Sequence, residues 1–147
     1  MRKVKTIIER ASDGCFGIYM ADAEDMSYLI TASGRTLKIA MKDFLDGYEG
    51  MKEHYAEVGD EFEEVEFDFV FELPAFLQHY SQFLSLAGLE RITGVNQKQL
   101  GHYISGYRHA SQKTVKKIED AVHKFGKNCW MLNSYDLIWC SPSMSQN

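Results

Sequence analysis

Apolar positions along the chain follow two periods, and the change from one to the other divides the sequence. In the first thirty residues they alternate or run in short β-branched stretches. Val4 to Ala11, VKTIIERA, predicts a strand, and Cys15 to Met20, CFGIYM, a second that returns antiparallel. Ser12-Asp13-Gly14 lies between them as a turn, because Asp-Gly supplies the positive φ that tight hairpins need. Ser27 to Thr31, SYLIT, predicts a third strand, after which Ser33-Gly34 breaks the pattern. From Thr36 the period lengthens. Leu37, Met41, Phe44, Leu45, Tyr48, Met51 and Tyr55 recur at steps of three and four, the stripe of an amphipathic helix with Thr36 as N-cap and Gly59 as stop. The acidic run Asp60 to Glu66 follows, and Phe67 to Phe71, FDFVF, predicts a short strand. The order β-β-β-α-β suits a small sheet with one helix on one face.

After Pro74, which suits the first turn of a helix, every apolar pattern is helical. Phe76, Leu77, Tyr80, Phe83 and Leu84 form one stripe. Leu86 to Thr93 predicts a second helix ending at Gly94, and Asn96 to Ser105 a third ending at Gly106. Ser111 to Phe125 predicts a fourth, with Val115, Ile118, Val122 and Phe125 inward, Lys113, Lys116, Lys117 and Lys124 outward, and Gly126 closing it. The fold class expected is α+β: an α/β unit over residues 1–73 and an all-α unit over 74–128. An aromatic extension occupies 129–147, possessing Trp130, Leu132, Tyr135, Leu137, Ile138 and Trp139 and ending in a loose tail, SPSMSQN. So apolar a segment is costly to leave in water, and it is expected to pack back on the chain or to form a strand or helix in a dimer.

A hydrophobic content of 45% supplies packed cores for units of this size. No run of about 18 apolar residues is present, so no spanning helix is expected. The start, MRKVKTIIERASDG, lacks the apolar stretch of a secretory signal. Cys15, Cys129 and Cys140 are odd in number and lack metal-ligand spacing, which fits reduced thiols in a cytoplasm. Charge is unevenly divided. Residues 1–73 carry 8 Lys/Arg against 17 Asp/Glu, a balance of −9, and residues 74–147 carry 8 against 4, a balance of +4. An acidic half beside a basic half points to two partners of opposite charge.

Residues 92–106, ITGVNQKQLGHYISG, carry the most specific chemistry. Gly94 permits a tight turn, Val95 fills it, and Asn96 with Gln99 three positions later resembles a capping box. Leu100 and Ile104 anchor the helix, leaving Gln97, Lys98, Gly101, His102 and Ser105 on the opposite face. Gln bonds bidentately to adenine in the major groove, and Lys reaches guanine or phosphate. Gly101 would let the backbone approach a groove wall. Unpaired N–H groups at the helix start suit a phosphate, and Arg108, His109, Lys113, Lys116 and Lys117 would hold flanking backbone. The candidate DNA-binding set is therefore Asn96, Gln97, Lys98, Gln99, Gly101, His102, Ser105, Arg108, His109, Lys113, Lys116 and Lys117.

These residues carry a family resemblance. LAGLERITGVNQKQLGHYISG, with YRHASQKTVKKIEDAVHKFG after it, resembles the helix-turn-helix of phage-repressor-like proteins over Leu84 to Gly126. Ala110-Ser111 stands at the place where a Pro-Ser or similar pair opens the family's fourth helix. Leu86 departs from the polar, DNA-touching residue common at the start of the second helix, and Glu90 from the small Ala that packs against the third, which implies a looser or shifted crossing. The resemblance implies double-stranded operator DNA as partner and at least a dimer, since such modules read two half-sites.

The first half, KVKTIIERASDGCFGIYM with SGRTLKIAMKDFLDGYEGM, resembles the HicB antitoxins through its hairpin, its Gly34-Arg35-Thr36 helix start, and Ala40 with Phe44. That resemblance implies a reduced RNase H-like unit without catalysis and a small basic toxin of the HicA type, an RNA-cleaving protein neutralised by contact. Asp22, Glu24, Asp25, Glu61, Glu63 and Glu64 are the candidate partner-binding residues, through charge steering. True RNase H chemistry needs carboxylates converging on divalent metals. Glu9, Asp22, Glu49 and Glu53 are scattered in sequence, the five histidines form no ligand pattern, and no catalytic residue, metal or cofactor is expected. The competing expectation is a stand-alone dimeric regulator whose N-terminal unit senses a ligand or drives dimerisation.

Overall fold

A computed structural model describes residues 1–133 of the 147. It is mixed α+β, with a four-stranded sheet and five helices among the described residues. Strands β1 (Arg2–Arg10) and β2 (Phe16–Met20) form the expected hairpin. At its tip Gly14 takes φ +86°, Asp13 Oδ1 accepts from the Cys15 N–H at 2.9 Å, and the Ala11 N–H donates to the Cys15 carbonyl at 2.8 Å. Strand β3 (Thr31–Gly34) pairs antiparallel with β2, so that Gly34 faces Phe16. Helix α1 (Leu37–Val58) crosses over to β4 (Val65–Phe71), which lies parallel to β1. The strand order is β3-β2-β1-β4, and β4 begins two residues earlier than its Phe67 expectation.

The third strand differs from expectation in position. Within residues 27–30, Tyr28 and Ile30 pack inward without strand pairing, while Ser27 and Leu29 are exposed. Tyr28 and Ile30 are buried, the Tyr28 hydroxyl donates to the Glu63 carbonyl at 2.6 Å, and the Ile30 N–H points at Met20 Sδ. Strand pairing starts only at Thr31 and continues through Ser33 and Gly34, where a break was expected.

Local chemistry sets the limits of α1. Thr36 Oγ1 accepts from the Ile39 N–H at 3.2 Å, and Gly59 stops the helix in the left-handed region at φ +78°. Ala40 and Phe44 are fully buried against Val4, Ile8, Phe16 and Ile18. Met41, Tyr48, Met51 and Tyr55 line the same face, but Leu45 lies off the stripe and is exposed. Phe44 meets Phe67 and Phe69 edge-on, and Tyr28 stacks on Phe62 at 4.7 Å, so aromatic rings fill the space between α1 and the sheet.

Helix α2 (Leu73–Tyr80) carries Pro74 in its first turn and joins two clusters: Ala75 belongs to the sheet's core and Leu77 to the helical one. It is shorter than its apolar stripe suggested. The chain turns at Ser81, whose N–H donates to the Leu77 carbonyl, and Phe83 is left exposed. Helices α3 (Leu86–Thr93), α4 (Gln97–Ser105) and α5 (Gln112–Cys129) complete the second cluster through Leu89, Val95, Leu100, Tyr103 and Ile118. Gly126 does not end α5, which continues to Cys129, and Phe125 is exposed instead of inward. The 18 residues of α5 span about 27 Å and the 8 of α3 about 12 Å, so α3 covers only part of its partner. The aromatic extension is described only to Asn133, with Trp130, Met131 and Leu132 exposed; its remainder lies outside the described residues.

Candidate nucleic-acid interface

The α3–α4 corner is built from three local devices. Ser85 Oγ caps α3 by accepting from the Gly88 N–H at 3.0 Å. Gly94 closes that helix at φ +72° with its N–H on the Glu90 carbonyl at 2.7 Å. Buried Thr93 holds the turn from inside, donating to the Leu89 carbonyl at 2.7 Å and accepting from the Val95 N–H at 3.1 Å. Asn96 then caps α4, its Oδ1 accepting from the Lys98 N–H at 2.8 Å. Among the described residues no return bond from Gln99 completes a capping box.

Leu100 is fully buried, and Tyr103, which the sequence pattern did not mark, is its partner in the core. Ile104 is half-buried beside them. This anchoring turns Gln97, Lys98 and Ser105 outward, with His102 half-buried on the same face. Asn96 and Gln99 are exposed at the start of α4. Gly101 is half-buried at the α3 crossing, where a Cβ would stand 3.8 Å from Leu86 Cδ1. The apolar Leu86 thus leans over the glycine, giving both unusual residues a packing reason.

The flanking cations differ in their surroundings. Arg108, His109 and Lys113 are exposed on the loop after α4 and the first turn of α5. Ser111 opens α5 as expected, its Oγ accepting from the Thr114 N–H. Lys117 extends across to the α3–α4 turn, its Nζ 3.5 Å from where a Gly94 Cβ would be. Lys116 pairs along its own helix with Asp120 at 3.1 Å and Glu119 at 3.7 Å. Its hydrogen bond to Asp120, then the charge of that carboxylate, raise its pKa, so its charge is locally offset. Among the described residues no carboxylate lies within ion-pair distance of Lys98, Arg108, Lys113 or Lys117.

The acidic candidates group around a residue that sequence reasoning passed over. Arg2 donates to Asp25 Oδ1 at 2.6 Å and Oδ2 at 3.1 Å, donates to the Asp22 carbonyl at 3.2 Å, and lies 3.8 Å from Glu63. The Arg2 hydrogen bond holds the Asp25 carboxyl below its ordinary range. Asp22 Oδ1 accepts from the Lys5 N–H at 2.6 Å, and Glu64 pairs with Lys52. Glu24 and Glu61 are exposed and enter no ion pair among the described residues. Much of this charge is therefore met within the fold.

Elsewhere, Glu72 at the start of α2 has its pKa raised by burial and then by the charge of Glu9. No third acidic or ligand group joins them: among the described residues no cluster of three His, Cys, Asp or Glu is placed to hold a metal ion. No helix among them is long and apolar enough to cross a membrane. Family models, curated proteins and solved structures yield no match to the chain.

Proposed function

We propose that this chain is a cytoplasmic antitoxin and autorepressor of the HicB type, without catalytic activity of its own. In this reading α3, the Gly94 turn and α4 form a helix-turn-helix of the phage-repressor kind. Two copies bind operator DNA, with Gln97, Lys98 and His102 toward base edges and Arg108, Lys113 and Lys117 toward phosphates. The sheet with α1 is a reduced RNase H-like unit that contacts a small basic HicA-type toxin.

One observation carries the proposal. The α3–α4 corner is buried on one side through Leu89, Val95, Leu100 and Tyr103 while its other side sets polar and basic side chains on a helix capped by Asn96. Any surface helix has such a division, and what supports the DNA reading is that the outer face of α4 carries Gln97, Lys98, His102 and Ser105 and no carboxylate. The strand order β3-β2-β1-β4 with α1 as the crossover supports the companion reading of the first half. The deciding experiment is purification of the native protein from its host, with mass spectrometry of what accompanies it. A short basic protein encoded by the adjacent gene is the expected result. Self-association alone, with neighbouring genes expressed, would overturn the toxin partnership.

A second reading has its own observation. A cleft of about 540 Å³ lies between β4, α2 and α5, lined by Val70, Phe71, Phe76, Val122 and His123 among others. That cleft favours a stand-alone regulator with a small apolar effector, and the same purification separates the two readings.

A further inference from the structure

The chain leaving α4 folds back on the helix it has just completed and makes hydrogen bonds and a ring contact at Ser105 and His102. Gly106 reverses the chain at φ +78°. Ser105 Oγ donates to the His102 carbonyl at 3.1 Å and accepts from the Tyr107 N–H at 3.3 Å, while the Arg108 N–H donates to the same carbonyl at 3.3 Å. The Tyr107 ring then stands 4.8 Å from the imidazole, tilted by 56°. On its other account it carries the Arg108 guanidinium 5.9 Å from its centroid, within cation–π reach.

Tyr107 is 72% exposed, so this ring is not there to fill a core. An exposed aromatic ring held by two neighbours instead restricts those neighbours. The His102 carbonyl accepts two hydrogen bonds and the His102 ring lies against Tyr107, an arrangement that would limit its rotamers before any ligand arrives.

We propose that Tyr107 is a positioning residue for DNA reading: it fixes the His102 imidazole so that this side chain discriminates at one base pair. The inference rests on the reading of α4 as the base-contacting helix. Arg108, held by the same ring, is kept at the adjoining backbone. A ring contact of this kind corresponds to about a two- to tenfold effect on discrimination. The hydroxyl plays no part, so Tyr107→Phe keeps the function and Tyr107→Ala loses it.

The test uses the full chain and a duplex selected by the wild type from a random library. Affinities of wild type, Y107F, Y107A, H102A and Y107A/H102A are read by fluorescence anisotropy, on that duplex and on versions changed one base pair at a time. The expected result is that Y107A and H102A relax preference at the same base pair. Y107F matches wild type there, and the double variant is no less selective than H102A alone. Thermal melts verify that each variant is folded. Equal weakening by Y107A on every duplex, or additive losses in the double variant, would overturn the proposal and leave the reading of α4 standing. A folded wild type that selects no duplex would remove both.

Discussion

Gly34 is where the sheet and α1 come closest, and replacing it tests the packing of the first half. A Cβ added there would lie 2.5 Å from the Ala40 nitrogen, 3.0 Å from Ala40 Cα and 2.8 Å from Ile39 Cγ2. Ile39 can rotate away, but the Ala40 backbone cannot. Gly34→Ala must therefore push the first turn of α1 from β3 by several tenths of an ångström or more, loosening Ala40 and Phe44, both fully buried. Overpacking typically costs about 1–3 kcal/mol, and a backbone obstacle places this case near the top, at about 3 kcal/mol. For a chain of this length that corresponds to a fall in Tm of about 6–12 °C. Gly50 provides the control: it lies inside α1 with nothing within 4 Å of its missing Cβ. Gly50→Ala should raise stability by about 0.5–1 kcal/mol through backbone entropy. Thermal and urea unfolding followed by circular dichroism measure both variants. If Gly34→Ala melts within about 2 °C of wild type, the close approach does not constrain the fold as argued.

On the proposed function, Gln97→Ala costs about 1–3 kcal/mol on a preferred duplex and little on random DNA; equal losses on both would remove it as a base reader. Lys117→Gln flattens the dependence of binding on salt more than Lys116→Gln does, because Lys116 already faces Asp120 and Glu119. Indistinguishable slopes would show that the intrahelical pairing does not matter. Asp25→Asn removes the partner of Arg2 and lowers stability at neutral pH. Because the folded Asp25 pKa lies below its ordinary 3.8, this contribution is complete above that value and disappears as pH falls through the lower folded one. Urea midpoints of the two proteins should therefore converge in acid, and a gap that persists there would assign the loss to something other than the carboxylate.

Features fixed by neighbouring residues were legible in the sequence. Thr36 and Gly59 bound α1 because a hydroxyl and a missing Cβ act within one turn, and the same holds for Gly94 and Asn96 at the α3–α4 corner. What depended on distant partners was not. Ser27 to Thr31 reads as a strand, yet Tyr28 and Ile30 are buried through contacts that include Glu63 and Met20, which no local period reveals. The end of α5 was misplaced because Gly126 is a poor helix residue without being a stop, and nothing downstream contradicts the helix before Cys129. In the acidic half, charge counting marked Asp22, Asp25 and Glu63 as open to a partner. Asp25 and Glu63 are met by Arg2, twenty or more residues earlier in the chain, and the Asp22 carboxylate accepts from the Lys5 backbone N–H. Tyr107 was missed because its contact with His102 exists only once Gly106 has reversed the chain.

The placement of charge along β1 bears on how an acidic chain would approach DNA. Arg2, at one end of the strand, gathers Asp22, Asp25 and Glu63. At the other end the hairpin tip docks on the helical unit: Gln78 Nε2 donates to the Gly14 carbonyl at 2.8 Å, and Arg10 Nη1 lies 3.7 Å from where a Gly106 Cβ would be, beside the C-terminus of α4. The nine residues of β1 at about 3.3 Å each hold the two ends about 26 Å apart, more than three screening lengths at physiological salt, where each is about 8 Å. The acidic loops therefore exert little force at the end where α4 is tied. On the near side Glu72 shares a surface groove with Arg108 and His109, Arg10 stands next to Gly14 at the tip that bears Asp13, and Glu9 adds a carboxylate whose charge helps raise the Glu72 pKa. Although the chain carries a net charge of −5, Lys98, Arg108, Lys113 and Lys117 on and beside α4 remain outside any ion pair among the described residues. Strand β1 thus separates the acidic residues around Arg2 from the cations around α4, a separation that the proposed binding of both a polyanion and a basic protein would use.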